Sequence, residues 1–100
     1  MTRGTTPQLT FELPFAVAGL ADIYVTFAQN GKIILEKDKS DIDVVNMHTF
    51  ALKLTQADTL ALQACTLVEM QIRAKTTAGD AIASEIFRAN VSRILKDGEI

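Results

Sequence analysis

Along the chain, branched and aromatic residues recur at every second position in several short runs. In the clearest case Ile23, Val25 and Phe27 alternate with Tyr24, Thr26 and Ala28, and Ile33 and Leu35 alternate with Lys32, Ile34 and Glu36. A period of two is that of a strand with one buried face. Asn30-Gly31 between the runs marks a hairpin. A two-residue turn would set Phe27 against Ile34 and Val25 against Glu36, placing a carboxylate on the buried face. A three-residue loop of Gln29, Asn30 and Gly31 pairs Phe27 with Ile33 and Val25 with Leu35, and leaves Tyr24 facing Glu36 outside. The pattern predicts that second register.

The same rhythm recurs elsewhere. Leu9, Phe11 and Leu13 share one face until Pro14 removes a backbone donor and ends the strand. Phe15 to Ala21 lacks a clean period and reads as a connection whose Phe15 and Leu20 plug the end of the core. Ile42, Val44 and the stretch Met47 to Leu54 continue the β pattern, with Phe50, Leu52 and Leu54 on one face. At Thr55 the period changes. Thr55 can cap a helix start and Asp58 can reach back to it, so one helical turn is expected across Gln56 to Leu62, where a sandwich crosses between sheets.

Residues 66 to 76 are the best patterned, with Val68, Met70, Ile72 and Ala74 opposed to Glu69, Gln71, Arg73 and Lys75. A loop of Thr77, Ala78 and Gly79 then pairs Ala74 with Ile82, Ile72 with Ser84 and Met70 with Ile86. Its outer face carries Gln71 opposite Glu85 and Arg73 opposite Ala83. Residues 82 to 95 fit a helical stripe about as well as kinked strands. Continuity from the Gly79 turn favours a strand through Phe87.

One hundred residues, 48% apolar with six aromatics among them, are enough for a single packed domain spanning residues 1–100. Residues 1–7 are polar and glycine-containing and are expected to form a flexible tail unless something docks them. A net charge of −2, from ten basic and twelve acidic residues spread along the chain, gathers no nucleic acid. No stretch approaches the about 20 apolar residues of a membrane helix, and the amino-terminal segment has no apolar run, so no membrane partner and cytoplasmic synthesis are expected. The single Cys65 cannot form an internal disulfide and reads as a small structural residue.

Candidate chemistry is sparse. Asp38, Asp41 and Asp43 have the spacing of carboxylates in a calcium loop, but the glycine and the distal bidentate glutamate of such a loop are missing and two lysines intervene. His48 has no second histidine to share a metal or a catalytic triad. Asn90-Val91-Ser92 matches a glycosylation acceptor without a secretory signal to give it meaning. No phosphate loop, Cys-x-x-Cys pair or nucleophile elbow occurs. Two acids could still meet in space as a hydrolytic pair, but nearly all oily positions are consumed by the two sheets. No enzyme activity, cofactor or metal is expected.

Three stretches carry a resemblance: Arg3-Gly4-Thr5-Thr6-Pro7 leading through Leu9, Phe11 and Leu13 to Pro14-Phe15; Leu54-Thr55-Gln56 with Thr59; and Arg93-Ile94-Leu95-Lys96-Asp97-Gly98 with Ile100. Together they resemble short proteins encoded in prophages of Firmicutes and related gut bacteria. The resemblance implies a phage-derived structural or accessory part of a virion, tail or baseplate with an immunoglobulin-like sandwich. It transfers no functional residue.

The expectation is therefore an all-β sandwich of six or seven short strands with one helical turn, or an α+β fold if residues 82–95 coil. The expected role is non-enzymatic phage structure or assembly through contacts with copies of itself or with other phage proteins, with virion association. The alternative is a glycan- or receptor-binding module of the same shape. Tyr24, Glu36 and Arg73, on outer faces of the hairpins, are the candidate binding residues.

Overall fold

A computed structural model describes residues 1–100. Its central strand is β6 (Leu67–Thr76), which buries Val68, Met70, Ile72 and Ala74 as their alternation dictates. Against it runs β2 (Leu20–Gln29), with Ile23 opposite Ala74, Val25 opposite Ile72 and Phe27 opposite Met70. Every cross-strand pair on this inner face is apolar, which sets the register. Strand β3 (Lys32–Asp38) flanks β2, while β7 (Ala81–Ala83) and β8 (Phe87–Asn90) flank β6 in succession.

The facing sheet has three strands, in the order β1 (Gln8–Glu12), β5 (Thr49–Lys53) and β4 (Ile42–Asn46). Phe11, Phe50, Leu52 and Leu54 drop from it onto the inner face of the other sheet, in one core cluster of 16 buried residues. Phe11 stacks on Phe50 with centroids 5.3 Å apart and meets Phe87 of the opposite sheet at 6.0 Å. These rings join the two sheets towards the β1 and β8 edge of a sandwich that has no tryptophan and a single cysteine.

The crossing from β5 to β6 is made by helix α1 (Gln56–Leu60), capped as the sequence predicts. The Thr55 hydroxyl accepts from the Asp58 N–H at 3.1 Å, and the Asp58 carboxylate accepts from the Thr55 N–H at 2.9 Å. Leu62 is buried just beyond it. With β1, β5 and β4 on one sheet and β3, β2, β6 and β7–β8 on the other, the chain is an immunoglobulin-like β-sandwich. The three-stranded sheet corresponds to the constant-type four-stranded sheet without its first strand.

The structure departs from expectation at four places. The first hairpin closes on two residues: Asn30 and Gly31 both adopt positive φ, and Ala28 pairs with Ile33. The carboxylate clash that argued against this turn is relieved by a bulge. Ile34 is the extra residue, so Phe27 meets Leu35, Thr26 meets Glu36 and Tyr24 meets Asp38 rather than Glu36. Ile34 and Leu35 then both pack against the core. Gln29, expected in the loop, is instead a buried strand residue whose amide bonds both backbone groups of Gln63, at 2.7 and 2.9 Å.

Second, the Gly79 hairpin pairs Ala74 with Ile82 as predicted, but its return strand breaks after Ala83. The Ser84 hydroxyl accepts from the Ile72 N–H at 3.0 Å, taking a place in the ladder that a carbonyl would fill. Beyond the break Met70 pairs with Phe87, not Ile86. Ile86 is thereby turned to the outer face. Third, with β7 and β8 counted separately the chain has eight strands, not six or seven; residues 82–95 hold no α-helix, as the favoured strand reading expects.

Fourth, residues 1–7 are docked, not loose. Thr2 bridges Ser92 in parallel, and Leu54 N–H donates to the Pro7 carbonyl at 3.0 Å. The Arg3 guanidinium donates to the carbonyls of Leu62 and Leu60, at 2.8 and 3.0 Å, filling acceptors that the end of α1 leaves open. Nothing in the local composition announces this, because every partner is distant in sequence.

Candidate interaction surfaces

The outer face of the five-stranded sheet brings the three candidate binding residues together. Tyr24 lies in register between Asp38 on β3 and Arg73 on β6, and Glu36 lies one pair further along, opposite Thr26. All three line one shallow concavity of about 550 Å³, with Asp22, Lys75 and Ile86 among its other walls. Tyr24 is 44% exposed. The chain's three ion pairs are Arg3–Asp97, Lys37–Asp58 and Arg88–Glu69, so Glu36, Arg73, Asp22 and Lys75 hold no intramolecular ion partner. A surface with an aromatic ring, an isoleucine and uncommitted charges of both signs can hold a polar ligand or a protein face.

Two sheet edges form further surfaces. Strand β4 has a neighbour on one side only, and Val44, Val45 and Met47 are 61%, 58% and 70% exposed there. The strand is short, bulged between Val44 and Asn46, and carries Asp43, all features that limit indiscriminate strand addition. On the opposite side of the sandwich a slot of about 390 Å³ opens between the end of β1 and the broken β7–β8 ribbon. Leu13, Phe15, Ile82 and Phe87 line it, and Glu12 and Glu85 are its only charged residues. Both strands beside it, β1 and β7, are edge strands. Sequence reasoning missed this slot; the Ser84-Glu85 step inside an otherwise apolar run was its only local sign.

Two of the three carboxylates of the candidate calcium loop are engaged elsewhere, and the third, Asp43, lies exposed on β4. Asp38 and Asp41 form a capping box around the one-turn 3-10 helix Lys39–Asp41, where Asp38 accepts from the Ser40 hydroxyl at 2.6 Å and the Ser40 N–H at 3.0 Å. The Ser40 hydroxyl, followed by its N–H, holds the Asp38 carboxyl below its ordinary value. Burial would raise the carboxyl of Asp58, but the Thr55 N–H and the Lys37 ammonium at 2.9 Å overcome it and leave that group lowered. No three of the His, Cys, Asp and Glu side chains converge. His48 and Cys65 are exposed. No helix is long and apolar enough to cross a membrane.

No family model and no curated protein matches this sequence. Among solved structures, the chain is similar to the V domain of amphioxus IgVJ-C2, at 10% identity and a TM-score of 0.39, over 94% of this chain and 97% of that one.

Proposed function

We propose that this protein is a non-enzymatic structural or assembly component that works through protein–protein contacts, with copies of itself or with other parts of a phage particle. The observation that carries the reading is the state of the sheet edges. Each flank of the sandwich has unpaired strand backbone beside apolar side chains that are not fully covered, Val44, Val45 and Met47 at β4, and the half-buried Phe15 and Ile82 with the exposed Phe87 at the slot between β1 and β7–β8. Sheet edges of that kind accept strands from other chains. The core consumes the inner-face apolar residues, and no cluster of acids or ligating groups stands ready for chemistry. The phage assignment rests on the sequence resemblance alone.

The test is light scattering coupled to size exclusion, together with a search for the protein in induced phage particles. Assembly beyond the monomer, or recovery in particles, is the expected result; a strict monomer absent from particles overturns the reading. A second reading, binding of a glycan or receptor, is favoured by one observation: Tyr24 stands next to Arg73, with Glu36 on the same concavity. A glycan array probed with the native chain and with Tyr24→Ala tests it, and binding by neither form removes it.

A further inference from the structure

We propose that the slot between β1 and β7–β8 receives the segment around Leu95 of a second copy, so that chains join head to tail. This deepens the assembly role proposed above and rests on it. The acceptor is an apolar cleft with an acidic rim. Leu13, Phe15, Ile82 and Phe87 line it, Glu12 and Glu85 stand at its mouth, and neither glutamate has an ion partner. The chain also carries a segment of the complementary chemistry. In Arg93-Ile94-Leu95-Lys96, Leu95 is 93% exposed, and neither Arg93 nor Lys96 pairs with a carboxylate. Seated in the slot, Leu95 covers the apolar walls while the flanking cations face Glu12 and Glu85. The edge of β1 or β7 can bond the incoming backbone as an added strand.

The segment cannot fill the slot of its own chain. Ser92 is held by Met1 and Arg3, its N–H donating to the Met1 carbonyl at 2.7 Å and its carbonyl accepting from the Arg3 N–H at 3.1 Å. Three further residues carry Leu95 at most about 10 Å from that anchor. Asn90 pairs with Leu67, whereas the slot runs from Phe87, opposite Met70, to Ile82, opposite Ala74, so it spans three to seven β6 positions, about 10 to 23 Å, up the sheet. Leu95 is therefore too short-tethered to run along the slot of its own chain, and the occupant we propose is the Leu95 segment of a neighbouring copy. Such a heterologous contact repeats, giving open chains or rings.

Two variants with altered exposed residues separate donor from acceptor without touching the core: Leu95→Asp, and Glu12→Lys combined with Glu85→Lys. Sedimentation velocity over a concentration series is the measurement. The native chain is expected to form a ladder of species, and each variant alone to need about tenfold or more protein to associate. An equimolar mixture should give a capped species of twice the 10.9 kDa chain mass, since one intact donor meets one intact acceptor. If the native chain associates and Leu95→Asp associates equally well, the slot assignment is wrong while the assembly role stands. A native chain that stays monomeric throughout overturns this inference, and its absence from induced particles as well would take the assembly role with it.

Discussion

Strands β6 and β4 are written in similar residues and end in opposite surroundings. Val68 on β6 is fully buried, whereas Val44 on β4 is 61% exposed. Strand β6 has β2 on one side and β7 and then β8 on the other, and its inner face lies under the whole second sheet. Strand β4 has only β5, and its bulge breaks the register. A valine on a strand is driven inward only where a neighbouring strand and an opposing sheet are present to cover it. The difference divides the molecule into an interior that holds the fold and edges free to bind.

The sharpest way to break this contrast is Ile72→Ala in β6. It should destabilise the domain by about 2–5 kcal/mol in urea unfolding, as for a fully enclosed aliphatic side chain. An effect under about 1 kcal/mol would mean that the centre of β6 is not the core. Next in size is Gly31→Ala. With φ at +76° and open space around the added methyl, it should cost about 1–2 kcal/mol through backbone strain alone. Thr55→Ala should cost about 1 kcal/mol by removing the hydroxyl that caps the crossing helix.

Smallest on the stability scale is Val44→Thr in β4, expected within about 0.5 kcal/mol of the parent. Any larger loss would show that β4 contributes to the core after all. A pH series sharpens the same comparison at Asp58, which ties the crossing helix to Lys37 of β3. Its carboxyl is lowered in the folded chain, so its stabilisation is present above the ordinary value of 3.8 and is lost as pH falls through the depressed folded value. The stability gap between the parent and Asp58→Asn should therefore be widest near neutrality and close in acid. A gap that stays constant to low pH would remove the lowered carboxyl from the account.

Much of the interior is legible in the residues because its causes are local. Alternation in residues 67–76 names the buried face of β6, Thr55 and Asp58 name their own cap, and the glycine-ended loop at Thr77-Ala78-Gly79 fixes the pairing of Ala74 with Ile82. The all-β class follows from these repeats together. Tyr24 and Arg73 are placed outside by the same parity, and only pairing across β2 and β6 makes them neighbours.

What the tertiary structure decided lies where two segments compete for one position. The bulge at Ile34 rescues a turn that simple alternation rejects, because packing both Ile34 and Leu35 inside outweighs an even register. The break at Ser84 exchanges Ile86 for Phe87 on the inner face, where Phe87 meets Phe11. The amino-terminal residues are ordered by carbonyls at Leu60, Leu62 and Ser92, whose proximity no local window contains. Periodicity reports which side of a strand is oily; which strand stands beside it, and which edge is left open, is settled only when the distant parts of the chain close on one another.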